Sequence, residues 1–118
     1  MFEISGTRIT ITRGDTALLS ITAEGVELTK NDRAVFTVSK GNGGIMMEKV
    51  AVPDGENRVL IPFLNSETQR WKEGSYSWDV RYILGALTDE RGRVYDGDEV
   101  LTPIRPGELT VIKAVGSI

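Results

Sequence analysis

Asp89, Glu90, Asp96, Asp98 and Glu99 form the one acidic concentration in the chain. Closely spaced carboxylates are what calcium takes. The Asp-x-Asp-x-Asp-Gly order of an EF-hand loop is not met, however, and Arg91 and Arg93 fall in the middle of the run. A solvated loop with local charge pairing is the favoured reading, and no metal is expected. A pair of carboxylates could also cut a glycosidic bond. With 17 acidic residues in the sequence, no spacing singles out one pair, so no catalytic residue is assigned. Asp79 and Arg81, two apart on one strand face, read as a charge pair across strands. Arg13-Gly14-Asp15 matches the tripeptide that integrins read. Between two alternating apolar runs it is better explained as a tight hairpin turn.

Trp71 stands between Arg70 and Lys72 in a polar segment. An exposed Trp there could stack on a sugar ring or a partner protein. The favoured alternative is that it folds back over the open end of the core. Gly41-Asn42-Gly43-Gly44 lacks the Lys and the following helix of a phosphate cradle, which leaves a hairpin loop.

Composition narrows the chemistry further. The 118 residues include no His and no Cys. Ser-His-Asp and Cys-His devices, disulfides, iron–sulfur clusters and cysteine zinc sites are therefore outside its repertoire. No cofactor is expected. Net charge is −3, and no basic cluster of the kind that tracks a phosphate backbone or a membrane surface is present, so neither nucleic acid nor membrane is an expected partner. The start, Met1-Phe2-Glu3-Ile4, lacks the basic and apolar regions of a secretory signal. Synthesis in the bacterial cytoplasm is the expectation.

The elements that must position these residues are strands. Val, Ile and Thr make up 32 of the 118 residues, a β-branched excess. Period-two alternation sets Ile9 and Ile11, then Ala17, Leu19, Ile21 and Ala23, then Ala34, Phe36 and Val38 on inward faces. From Ile45 to Val52 the alternation breaks at Met46-Met47 and Glu48-Lys49, which a bulge or an edge position would explain. Val59, Ile61 and Phe63 follow a Pro53-Asp54-Gly55-Glu56 turn. Pro62 confines that run to an edge or a strand end. A short helix near 65–72, capped by Asn65 or Ser66 and ended by Gly74, is the one helical expectation. Ser75 to Leu84 is the longest strand, with Tyr76, Trp78, Val80, Tyr82 and Leu84 inward. Thr88 to Asp98 holds a hairpin with Glu90-Arg91-Gly92-Arg93 at its tip. Val100 to Ile104 and Leu109 to Ala114 complete the set.

This pattern predicts a single domain over 1–118, an all-β antiparallel β-sandwich of seven to nine strands. A helical corner followed by Gly74-Ser75-Tyr76-Ser77-Trp78 resembles the tyrosine corner of immunoglobulin-like domains, although any β-protein can place a Tyr near a strand start. In antibody domains a Cys stands two residues after that Tyr. Here the position is Trp78, so packing would replace the disulfide.

The opening Met1 to Thr16, with its Thr12-Arg13-Gly14-Asp15 step, resembles a small family of bacteriophage and prophage proteins. Val35-Phe36-Thr37-Val38-Ser39-Lys40 is similar to the family's third strand. Gly74-Ser75-Tyr76-Ser77-Trp78-Asp79-Val80-Arg81 is similar to its Gly-x-Tyr-x-Tyr/Trp-Asp-Val/Ile strand, and Pro106-Gly107-Glu108-Leu109-Thr110-Val111 to its last. These proteins are similar to the N-terminal domain of phage baseplate upper proteins, an immunoglobulin-like sandwich that docks onto the tail. The stretch from Gly85 to Asp98 is longer than the family's usual hairpin. The resemblance implies a structural or protein-interaction role in a tail or baseplate, without catalysis. Its partners would be other phage structural proteins or further copies of the chain, and its final location the virion. The candidate interaction surface is Trp71, Gly43, Arg91 and Arg93. The alternative is a carbohydrate-binding module that recognises a cell-surface glycan through Trp71.

Overall fold

The structure, a computed structural model, describes residues 1–115. The chain runs β1 (Phe2–Ser5), β2 (Arg8–Thr12), β3 (Ala17–Thr22), β4 (Arg33–Ser39), β5 (Ile45–Ala51), β6 (Arg58–Phe63), α1 (Asn65–Thr68), β7 (Gly74–Leu84), β8 (Leu87–Thr88), β9 (Val94–Asp96), β10 (Glu99–Leu101) and β11 (Gly107–Ile112). The large sheet has the order β1-β2-β11-β7-β4-β5, with β10 also paired to β7. β3 and β6 form a second sheet, and β8 and β9 a small hairpin. Adjacent β4, β7 and β11 facing β3 and β6 is the strand distribution of an immunoglobulin-like sandwich.

Alternation explains both faces of this sandwich. Ile9 and Ile11, Phe36 and Val38, Trp78, Val80 and Tyr82, and Leu109 and Val111 are all buried on the large sheet. Leu19, Val59, Ile61 and Phe63 meet them from the second sheet. Each such side chain contributes roughly 1.5–3 kcal/mol by leaving water. Phe36 links the layers: its ring lies 5.4 Å from Trp78 in its own sheet and 5.7 Å from Phe63 in the other. The Trp78 indole N–H donates to the Thr7 carbonyl at 2.9 Å. Gly107 lies against that indole, where a Cβ would stand 2.1 Å from the Thr7 oxygen and 2.5 Å from Trp78 Nε1. Only glycine lets β11 come this close.

Several expectations need correction. Eleven strands form among the described residues rather than seven to nine. The strand not expected is β1, where Phe2–Ser5 turns through residues 6–7 to pair with β2, while the hairpin and β10 break the 85–101 region into three short strands. The sheet is not purely antiparallel, because β11 pairs with β2 in parallel. Arg13-Gly14-Asp15 is not a hairpin: β2 and β3 belong to different sheets, so the turn carries the chain across the sandwich. α1 fixes that crossing, with Asn65 Nδ2 donating to the Gly14 carbonyl at 2.6 Å and Thr68 Oγ1 to the Asp15 carbonyl at 2.9 Å. Asn65 is therefore engaged away from the helix cap. Leu64 takes the cap position, and its N–H donates to the Glu67 carboxylate at 2.9 Å, one half of a capping box. Gly74 does not end the helix but opens β7.

Both explanations for the broken alternation in β5 hold. It is an edge strand, and the register with β4 shifts beside Met46. Lys49 points inward because α1 supplies Glu67, 2.6 Å from its ammonium. Pro62 sits in β6, whose one paired neighbour is β3. No helix among the described residues is long and apolar enough to cross a membrane.

Candidate interaction groove

β7 is long enough, at roughly 33 Å, to separate two ends of the sandwich with different construction. At its Gly74 end, the Tyr76 hydroxyl donates to the Lys72 carbonyl at 2.6 Å. This is the contact that defines a tyrosine corner, and it straps the 69–73 segment to the strand. Beneath the strap Trp71 is only 6% exposed and meets Phe63 edge-on at 5.9 Å. Trp71 thus closes the core, and the sugar-stacking or partner-facing platform expected as one alternative is not there. Lys40 and Met46 of the β4–β5 hairpin border the same shallow pit as Trp71 and Tyr76, with Gly43 at the exposed hairpin tip.

The Leu84 end is built differently. Here the chain leaves β7, turns outward through the β8–β9 hairpin, and returns as β10. Gly85 has φ +59, a left-handed conformation that favours glycine at the root of the hairpin, and it lies beside the Asp98 side chain of the returning leg. Asp32 then pins the root from the neighbouring β3–β4 loop. Its Oδ1 accepts the Gly85 N–H at 2.9 Å, its Oδ2 accepts the Thr29 N–H at 2.7 Å, and Ala86 N–H donates to the Asn31 carbonyl at 2.9 Å. Burial pushes the Asp32 pKa upward, but the Thr29 and Gly85 amides, the Thr29 hydroxyl and the nearby Arg33 outweigh it, leaving the group below its usual value. The carboxylate is thereby held ionised at the base of the hairpin.

The tip is equally well braced. Asp89 Oδ1 accepts the Arg91 and Arg93 amides, each at 2.9 Å, and Asp89 N–H donates to the Arg93 carbonyl at 2.9 Å. Asp96 caps the Gly97 amide at 2.8 Å. These carboxylates of the acidic run serve their own turns, and no group of three potential metal ligands converges among the described residues.

So placed, the hairpin overhangs the outer face of β4, β5 and β7. Registers there set Thr37 between Glu48 and Asp79, and Val35 between Val50 and Arg81. With Ile83 and with Val94 from the hairpin, these side chains bound a groove of about 340 Å³. Asp79 and Arg81 share its floor without forming the expected ion pair. Past Glu48 and Val50 the groove widens to about 710 Å³ between β5 and the hairpin tip, lined by Arg33, Val52, Arg91 and Arg93. Arg91 and Arg93 are thus together on one wall, while Gly43 and Trp71 belong to the opposite end of β7.

The remaining motifs resolve into structure. In the Arg13-Gly14-Asp15 turn, the Arg13 guanidinium faces Glu73 at 3.9 Å and Asp15 pairs with the N-terminal ammonium. Asn57, with φ 60, holds the 23–28 loop: its side-chain carbonyl accepts the Leu28 amide at 2.7 Å, and its amide donates to Ala23 and Val26. Nothing in sequence spacing singles out Asn57. Asp32 had a weak signal, since Thr29-Lys30-Asn31-Asp32 has the spacing of a local side-chain turn, but its Gly85 partner is 53 residues away.

No protein-family model matches the chain, and comparison with curated proteins gives no match. Among solved structures, it is similar to a crystal structure of a candidate glycoside hydrolase from Bacteroides vulgatus ATCC 8482. That likeness has 19% sequence identity and a TM-score of 0.45, and covers 89% of this chain. The chain spans 16% of the length of that protein.

Proposed function

We propose that this chain is a non-catalytic protein-interaction module of bacteriophage or prophage origin, a component of a tail or baseplate. The observation that carries the reading is the β8–β9 hairpin, clamped at its root by Asp32 and held over the outer face of the large sheet. The sandwich core is already closed without it, since the core residues of β4 and β7 are buried from the other side. A braced hairpin that walls a groove on a solvent face is the construction of a docking surface. The resemblance of the β2, β4, β7 and β11 segments to baseplate upper proteins supplies the biological setting: assembly in the bacterial cytoplasm, then residence in the virion.

Two carboxylates are tied into local structure. Asp32 and Asp54 both have pKa values lowered from normal. The Arg58 side chain is the main cause at Asp54, whose Oδ1 also accepts two amides of its own turn. The partners are other phage structural proteins or further copies of this chain.

Co-expression with the products of the neighbouring genes tests this. Tail proteins should co-purify with the wild-type chain and be lost with Arg91→Gln/Arg93→Gln. Neighbouring genes of metabolic character, with no co-purifying structural protein, would contradict the reading.

A further inference from the structure

The groove has an unusual fourth side. β5 is the last strand of the large sheet, so the backbone groups along its outer edge have no strand partner among the described residues. Its N-terminal half is interrupted by the bulge beside Met46, but Glu48 to Ala51 pair with β4 in unbroken register. That regular stretch is the part that borders the wide section of the groove, opposite the hairpin tip. Exposed strand edges are commonly blunted. Here the bulge and the inward Lys49 are two such devices, yet the outer backbone of Glu48 to Ala51 has no strand partner among the described residues, and the braced wall faces it across an open groove of about 710 Å³.

Charge says what kind of strand would fit. Arg33, Arg91 and Arg93 line this section, and none forms a salt bridge among the described residues. The Arg33 guanidinium donates to the Lys30 and Asp32 carbonyls and is partly matched by the nearby Asp32 carboxylate, which leaves Arg91 and Arg93 as the freer pair. Lys49 is already paired with Glu67. Glu48 is the one acidic side chain in the lining, and Asp89 is turned into the backbone of the tip. Glu90, exposed at the tip, does not line the groove. A chain of net charge −3 therefore gathers three guanidinium groups against one carboxylate at this position. Guanidinium groups bind carboxylates in a two-pronged geometry. Val50 and the half-exposed Val52 add apolar contact.

We propose that the free edge of β5 accepts an extended, carboxylate-bearing segment of a partner protein as an added strand, selected by Arg33, Arg91 and Arg93. This deepens the interaction reading above and rests on it. In such strand addition the main-chain hydrogen bonds supply affinity, and the side chains that alternate along the segment supply specificity.

The probe is a capped peptide of four Val-Glu repeats, with a Val-Lys peptide as its charge-reversed control. Binding is followed by amide chemical shifts of the folded chain. The Val-Glu peptide should shift Glu48 to Val52 and Arg91 to Arg93, and the Val-Lys peptide should not. Arg91→Gln/Arg93→Gln should weaken binding about tenfold or more while leaving the melting temperature unchanged. Strand pairing uses the amides of alternate residues only. N-methylation of either the Val or the Glu amides should therefore abolish binding, while methylation of the other set is tolerated. Equal affinity of the two methylated peptides would show attraction by charge alone and overturn strand addition. Absence of any Val-Glu binding, with tail proteins still co-purifying through Arg91 and Arg93, would overturn strand addition and leave the interaction reading standing. Absence of both would remove both.

Discussion

The two ends of β7 are each anchored by a side-chain-to-backbone hydrogen bond, but for opposite purposes. At the Gly74 end, the tyrosine corner folds the chain back so that Trp71 completes the core. At the Leu84 end, Asp32 and Gly85 direct the chain outward, and the side chains it carries remain in solvent. Leu87 and Tyr95 of the hairpin are half-exposed or more, whereas the Trp of the corner is buried. The difference lies in what the anchoring hydrogen bond holds. Tyr76 straps a loop down onto apolar surface; Asp32 props a hairpin up from its root. One end should therefore be sensitive to mutation through stability, and the other through binding.

The largest expected effect is at the closed end. Trp71→Ala should cost about 3–5 kcal/mol by opening a cavity beside Phe63, read from urea unfolding. A loss under 1 kcal/mol would mean that Trp71 is not closing the core. Next is the root of the hairpin. Asp32→Asn should cost about 2 kcal/mol at neutral pH, because amide hydrogen bonds to a charged acceptor are lost. The Asp32 pKa is lowered on folding, so its contribution is fully present above the unfolded value near ~3.9 and is lost as pH falls through the lower folded value. The gap between wild type and Asp32→Asn should thus narrow below pH ~4. A gap that does not change with acid would show that the charge has no part in the clamp. Tyr76→Phe should cost about 1 kcal/mol, the value of one hydrogen bond. The smallest effect belongs to the open end: Arg91→Gln/Arg93→Gln should stay within about 0.5 kcal/mol of wild type. A substantial loss there would make the tip part of the fold rather than a surface for partners.

The sequence foretold the strands wherever alternation was regular. Ile9 and Ile11, Phe36 and Val38, and Trp78 to Tyr82 are buried as the period-two pattern requires. It also placed the hairpin tip at residues 90–93, because Gly and charged residues between two short apolar runs can do little else. What alternation cannot encode is which sheet a strand joins. Arg13-Gly14-Asp15 reads as a hairpin because its flanking strands look alike, and only the anchoring of the turn by Asn65 and Thr68 sends β3 across the core. The groove was legible in part. Arg91 and Arg93 stood out as exposed charge. The Asp32 clamp depends on a partner far away in the chain. The free edge of β5 is a property of the whole sheet order. Trp71 was ambiguous for a related reason: the polar neighbours Arg70 and Lys72 remain exposed while the ring between them turns inward.

The most direct test of this division of labour is the hydrogen-exchange footprint that the proposed partner protein would leave on the chain. Slowed exchange at Glu48 to Val52 and Arg91 to Arg93, with residues 70–76 unchanged, is the predicted result. A footprint confined to residues 40–44 and 70–76, with the groove exchanging as in the free chain, would contradict it.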